Sequence, residues 1–185
     1  MARSYSAFDA ARRISQGPLL DVALTVKSYQ KDNPQSLPII FDDQTSQTID
    51  VLLEGGEAEI AAWIETHFPQ PSRRGRGRPK LGVVGKEVSL LPRQWEWLSA
   101  QPGGASVTLR KLIDQAARDP QAERRAAQDS AYRFANAIAG NEPGFEEAIR
   151  ALYAGDQVSY ETNTALWPED VRAHARSLAS QVWQP

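Results

Sequence analysis

The 185-residue sequence has no cysteine, a single methionine and two histidines. Without cysteine there are no disulfides, no thiolate nucleophiles and no cysteine–zinc sites. Two histidines are too few for a histidine-rich metal site. No apolar run approaches the ~18 residues that a membrane span requires. The opening residues, MARSYSAFDAARR, carry no apolar signal core, so the expectation is a cytoplasmic protein with no membrane association. Phosphate-cradling loops need a GxxxxGK or GxGxxG frame, and Gly75-Arg-Gly-Arg-Pro-Lys supplies neither. With His67 and His174 in separate segments, acid–base chemistry would fall to unplaced carboxylates, so neither an enzyme nor a cofactor is expected.

What is present is an uneven distribution of charge. The formal net charge is only −2. Residues 1–72 carry 5 Lys+Arg against 10 Asp+Glu, residues 73–118 carry 10 against 3, and residues 119–185 carry 6 against 10. A nearly neutral total therefore hides an acidic–basic–acidic order, and the basic middle argues for a polyanionic partner.

Periodicity and turn residues predict an α+β fold of four parts. Residues 1–69 form a small α+β domain with the order ββαββα. Strands are expected at 5–8 and 12–15, and Pro18 at a helix first turn with Asp21 on the favourable end of the dipole. Leu19, Val22, Ala23 and Val26 give the helical stripe. Strands at 38–41 and 48–53 flank an Asp42–Asp43 turn, and Ile60, Trp63 and Ile64 mark a helix closing at Pro69. Residues 70–82 read as a basic linker, with no apolar side chain to bury before Leu81. Residues 83–118 read as a strand (86–91), a helix from Pro92 to Ala100, a Pro102-Gly103-Gly104 break and a helix N-capped by Ser106. Leu109, Leu112, Ile113 and Ala116 share a face of that second helix. Residues 119–185 form an acidic helical domain, with helices at 122–139, at 143–153 ending at Gly155, and from Pro168.

Two local resemblances carry chemistry. Arg76-Gly77-Arg78-Pro79, with Arg73, Arg74 and Gly75 before it and Lys80 after, resembles an AT-hook, the minor-groove-binding peptide built on Gly-Arg-Pro. Pro79 keeps Arg78 out of the helical region, and Gly77 lets backbone approach a groove floor. Arg76 and Arg78 could then lie in a narrow A·T-rich groove, while Arg73, Arg74 and Lys80 meet phosphates. The segment that follows, KEVSLLPRQWEWL…GGASVTLRKLIDQAAR, resembles the ribbon–helix–helix family. That resemblance implies a dimer in which paired strands enter the major groove. Backbone N–H groups of Ser106, Val107 and Thr108 would face phosphate, flanked by Arg110 and Lys111, with Lys86 on the strand. The strand departs from the family where it would read bases. Either Glu87, Ser89 and Leu91 or Lys86, Val88 and Leu90 face outward, and both sets are poor base readers. An ordinary helix–turn–helix and a helical hairpin with Trp95, Leu98, Leu109 and Leu112 as plain core stay open.

Trp95 and Trp97 are two residues apart on a helix, so they point in different directions and cannot both be core. One of them is expected at a protein interface, with burial against the linker or stacking on nucleic acid as the alternatives. Asp42–Asp43, Glu146–Glu147 and Glu169–Asp170 are expected as solvated turns or helix caps, and His174 as a satisfied, half-buried histidine on a stripe with Val171, Leu178 and Val182. Along most of its length the chain is also similar to a bacterial family of uncharacterised proteins, through GRPKLGVVGKEVSLLPRQWEWLSAQPGGAS, PGFEEAIRALYAGD and the Trp-Pro-x-Asp-Val-Arg segment. The resulting expectation is a DNA-binding homodimer, a transcriptional regulator or nucleoid-associated factor preferring A·T-rich duplex. Its acidic parts would carry partners or compete with DNA for the basic segment. The alternative is a protein–protein interaction module, such as an antitoxin-like adaptor or assembly factor, with a basic tether.

Overall fold

The computed structural model describes residues 3–69, 86–117 and 119–183. Two compact units emerge: residues 1–70 with 124–185, and residues 71–123. The first unit is discontinuous in sequence.

Its amino-terminal half is built on a three-stranded antiparallel sheet of order β2-β1-β3. β1 (Tyr5–Asp9) turns through Ala10, at φ +49°, into β2 (Arg12–Gly17), with a bulge between Ala7 and Phe8. α1 (Leu19–Asp32) follows Pro18, which caps it, and Asp21 lies in its first turn. Leu19, Val22, Ala23 and Val26 are the buried stripe, as their spacing predicts. β3 (Ile39–Asp42) pairs with β1, Tyr5 opposite Asp42 and Phe8 opposite Ile39. α2 (Glu57–His67) is opened by the Glu59 carboxylate, which accepts the Gly56 N–H, and it buries Ile60.

The expected strand at 48–53 does not form. Only Thr48 bridges to Phe41, and the Ile49 N–H reaches the Ile40 carbonyl at 2.8 Å. The alternation that suggested a strand is used without a ladder, because Ile49, Val51 and Leu53 pack on the core while Leu52 faces solvent. The order is thus ββαβα.

Both faces of the sheet are covered, and strand alternation divides the side chains between them. Tyr5, Ala7 and Ile40 join Leu19, Val22 and Val26 in one core. Phe8 and Phe41 point the other way, into a second core supplied by the carboxyl-terminal helices. Those are α5 (Pro120–Ala139), α6 (Phe145–Ala154), α7 (Gln157–Asn163) and α8 (Glu169–Ala179), followed by a single 3₁₀ turn over Ser180–Val182. Ala127, Ala131, Ala135 and Ala139 recur every four residues on α5, a small-residue stripe that admits close neighbours around Phe134. Residues 1–70 and 124–185, far apart in sequence and both acidic, therefore share a core. α7 has no apolar period to betray it; its signal is Asp156, whose carboxylate accepts the Ser159 N–H at 3.0 Å. No helix among the described residues is long and apolar enough to cross a membrane.

The second unit contributes α3 (Pro92–Ser99) and α4 (Gly104–Ala116). Pro92 opens α3 as expected, and the Gln94 side chain accepts the Leu91 N–H at 2.9 Å.

Phe134 ties the two halves of the first unit together. Phe134→Ala should cost about 3–5 kcal/mol, the range for emptying a buried aromatic site. Urea denaturation followed by far- and near-ultraviolet circular dichroism should show sheet and helices lost in one transition at lower denaturant.

Candidate nucleic-acid interface and the central helical pair

The basic segment and the helical pair belong to the unit that interrupts the acidic one. Residues 1–70 and 124–185 carry 11 Lys+Arg against 18 Asp+Glu, and residues 71–123 carry 10 against 5. Of the predicted contact residues, Arg73, Arg74, Arg76, Gly77, Arg78, Pro79 and Lys80 lie outside the described residues. The remainder can be placed.

Lys86 is exposed, and residues 86–91 form no strand. A strand needs a neighbour to satisfy its N–H and C=O groups; none of the described strands pairs with this stretch. Ser106 is not an N-cap. α4 starts two residues earlier, at Gly104, with Gly103 at φ +90° as its cap and Gly104 itself at φ +73°. Those left-handed conformations suit glycine, so the Gly103–Gly104 pair both breaks the chain and opens the helix. A Cβ at Gly103 would also press on the Val107 side chain, 3.1 Å away. In that register the first free backbone N–H groups end at Ser106, and those of Val107 and Thr108 are used inside the helix. Thr108, on α4, is buried and so is not available to phosphate. Arg110 and Lys111 are exposed, and the Arg110 Nε donates to the Ser106 carbonyl at 3.0 Å.

Charge within the described part of this unit is nearly balanced. Lys86, Arg93, Arg110 and Lys111 face solvent together with Glu87, Glu96, Asp114, Asp119 and Glu123. Five of the ten cations of 73–118 are instead concentrated in residues 73–80. The helical pair is apolar rather than basic in character. Only Leu98 and Thr108 are buried in it, while Val88, Leu91, Trp95, Trp97, Val107, Leu112 and Ile113 are exposed. Trp95 is 42% and Trp97 52% exposed, so neither tryptophan is core. Leu90, Arg93, Gln94, Trp97, Leu98, Leu109 and Leu112 line an open groove of about 460 Å³ between the helices.

The acidic pairs have divided fates. Glu146–Glu147 and Glu169–Asp170 occupy helix first turns, as expected. Asp42 and Asp43 do not form a solvated turn. The Asp42 carboxylate is fully buried and accepts the Arg3 Nε at 2.6 Å and the Gln44 and Thr45 N–H groups at 2.8 and 3.0 Å. Asp43 accepts Ser4 Oγ at 2.7 Å and Gln16 Nε2 at 3.0 Å. These anchors hold a tight turn in which Ser46, at φ +51°, shares a 2.9 Å hydrogen bond with Ser130 on α5. The Arg133 guanidinium donates to the Thr45 carbonyl. The only signal for this arrangement in the sequence is the Asp-Asp-Gln-Thr-Ser turn chemistry. His174 lies on its stripe but is buried rather than half-buried, and its Nε2 is not satisfied by any hydrogen bond, because α8 turns it into the aromatic core; His67 Nδ1 stands 2.8 Å from the Trp63 carbonyl in the last turn of α2.

A family model described as "Uncharacterized protein conserved in bacteria (DUF2239)" matches residues 4–179. The chain belongs to the DUF2239 family. The match spans both units and runs through the basic segment, so the DUF2239 chain carries the interrupted acidic unit and the basic insert together. No curated protein and no solved structure matches it.

Leu98 is the one large apolar side chain that the central pair buries, and the pair has little else to hold it. Leu98→Ala should remove about 2–5 kcal/mol, enough to melt α3 and α4. Hydrogen exchange should show lost protection there with α5–α8 unchanged.

Proposed function

We propose that this protein binds double-stranded DNA as a homodimer, in the manner of a transcriptional regulator or nucleoid-associated factor. The observation that carries this reading is the placement of Arg73, Arg74, Arg76, Arg78 and Lys80 within eight residues of an otherwise acidic chain. In the AT-hook-like reading, Arg76 and Arg78 lie along an A·T-rich minor groove, where a narrow floor concentrates negative potential. Arg73, Arg74 and Lys80 release counterions from phosphates. Exposed Lys86, Arg110 and Lys111, with the Ser106 N–H in the first turn of α4, add phosphate contacts in the ribbon–helix–helix-like reading. The balanced charge and exposed apolar surface of the helical pair favour self-association as its part in binding, and Trp97 lines the groove that a second copy would cover.

A second reading, a protein-interaction module with a basic tether, is favoured by that same groove, which would accept an apolar helix of another protein as readily. Charge-preserving changes separate the two. Arg78→Lys and Pro79→Ala alter minor-groove fit and leave a tether's charge intact.

Fluorescence anisotropy on A·T-rich and G·C-rich duplexes tests the proposal. With five phosphate-neutralising cations, affinity should fall roughly 10²–10³-fold between about 50 and 200 mM salt. Tighter binding to A·T-rich DNA should be lost when Arg76 and Arg78 are both replaced. Trp97→Glu should give a monomer by analytical ultracentrifugation and weaken DNA binding without abolishing it. Absence of binding at the lowest salt would reject the DNA reading and leave the protein-interaction module.

A further inference from the structure

His174 projects from α8 with 3% of its surface exposed, yet its Nε2 has no hydrogen-bond partner. Phe8 on β1 and Phe134 on α5 pack against the ring in edge-to-face arrangements, at centroid distances of 5.3 and 4.5 Å. Nε2 faces Asp43 Oδ1 across 3.9 Å, too far for a hydrogen bond. That oxygen is also buried and unpartnered. The other Asp43 oxygen is occupied by Ser4 and Gln16. The remaining charge acting on the ring is Arg13 on β2. The Arg13 backbone N–H donates to the Asp170 carboxylate, on the first turn of α8, at 2.9 Å. Two buried, unpartnered atoms of titratable side chains, His174 Nε2 and Asp43 Oδ1, thus face each other where the amino-terminal sheet meets the last helix.

We propose that His174, caged by Phe8 and Phe134, is a proton-sensitive clasp between the sheet and α8, closed while the imidazole is neutral and loosened when it is protonated, with Asp43 opposing the loosening. An apolar cage disfavours an imidazolium. Asp43 would stabilise the charge, but at 3.9 Å it makes no hydrogen bond to it. Burial is the larger influence and pushes the His174 pKa below its ordinary value of 6.5; Asp43 pulls the other way, and Arg13 reinforces the depression. When α8 opens, the ring is hydrated and recovers its ordinary pKa. The open form then takes up a proton that the closed form refuses, so acid favours opening. The effect sets in as pH falls through 6.5 and ends below the depressed pKa of the closed form.

Hydrogen exchange of the α8 amides in the full chain, corrected for intrinsic rates, reads this directly. Between about pH 7.5 and 5.5 the opening equilibrium of the wild type should rise up to about tenfold, the limit for one proton with an open-state pKa near 6.5. In His174→Phe, which fills the same cage without a titrating group, the rise should vanish. An NMR titration of the wild-type ring, independent of whether the variant folds, should place its pKa below 6.5, and Asp43→Asn should lower it further. A ring titrating at or above 6.5, protection of α8 that increases in acid, or an equal change in His174→Phe would each overturn the clasp.

Discussion

Everything in the larger unit depends on a small aromatic cluster. Phe8 and Phe41 leave the sheet on the same face and meet Phe134 at 5.0 and 5.3 Å, in tilted and edge-on contacts. Such geometries add to area burial because ring edges and faces are oppositely polarised. The cluster gives β1 and β3 a second buried face, and it gives α5 a reason to lie against them. Without it the sheet would be a two-layer unit with α1 and α2 only, and the carboxyl-terminal helices would have no surface on which to close. The alanine stripe on α5 lets the cluster form, because four methyl groups leave one large ring to fill the space.

The turn after β3 is the polar counterpart of this contact. Asp42 satisfies its own turn and Arg3, Asp43 reaches Ser4 and Gln16, Ser46 reaches Ser130, and Thr45 is gripped by Arg133. A serine held at positive φ costs free energy in isolation. Here a buried hydrogen bond and the anchoring carboxylates offset that cost. The same turn also positions the Asp43 carboxylate opposite His174, so the polar fastening and the titratable pair are parts of one arrangement.

Much of the local structure was legible in the sequence. The stripe of α1, the runs of β1 and β3, Pro92 at the start of α3, Gly155 at the end of α6 and the position of His174 on its stripe all follow from period, cap and turn chemistry. What was illegible has physical causes. Ile49, Val51 and Leu53 alternate like a strand, but periodicity reports which side chains are buried and not whether the backbone finds a partner. Ser106 resembles a cap, yet two glycines just before it can adopt φ values that start the helix sooner. Asp42 and Asp43 read as solvated because a pair of adjacent acids usually is; their burial depends on Arg3, Ser4 and Gln16, distant in sequence. The division into units was hidden for the same reason. Composition is a local property, whereas the Phe8–Phe134 contact joins the two ends of the chain. At the candidate interface, the basic segment was evident from charge alone, and the near neutrality of the adjoining helical pair became clear only once its exposed side chains were placed.

The interruption of one unit by another has a consequence for how the chain matures. During synthesis β1, β2, α1, β3 and α2 emerge first, and one face of their sheet can be covered at once by α1. The other face, with Phe8 and Phe41, must wait for Phe134 and α8. In that interval a hydrophobic sheet surface is open to solvent and to other nascent chains. The central pair, made of contacts close in sequence, can form while the ribosome is still producing its cover, since local contacts form faster than distant ones. Completion of the larger unit is then gated by translation of the last third, and a chain stalled or truncated before α8 presents the kind of surface that chaperones retain.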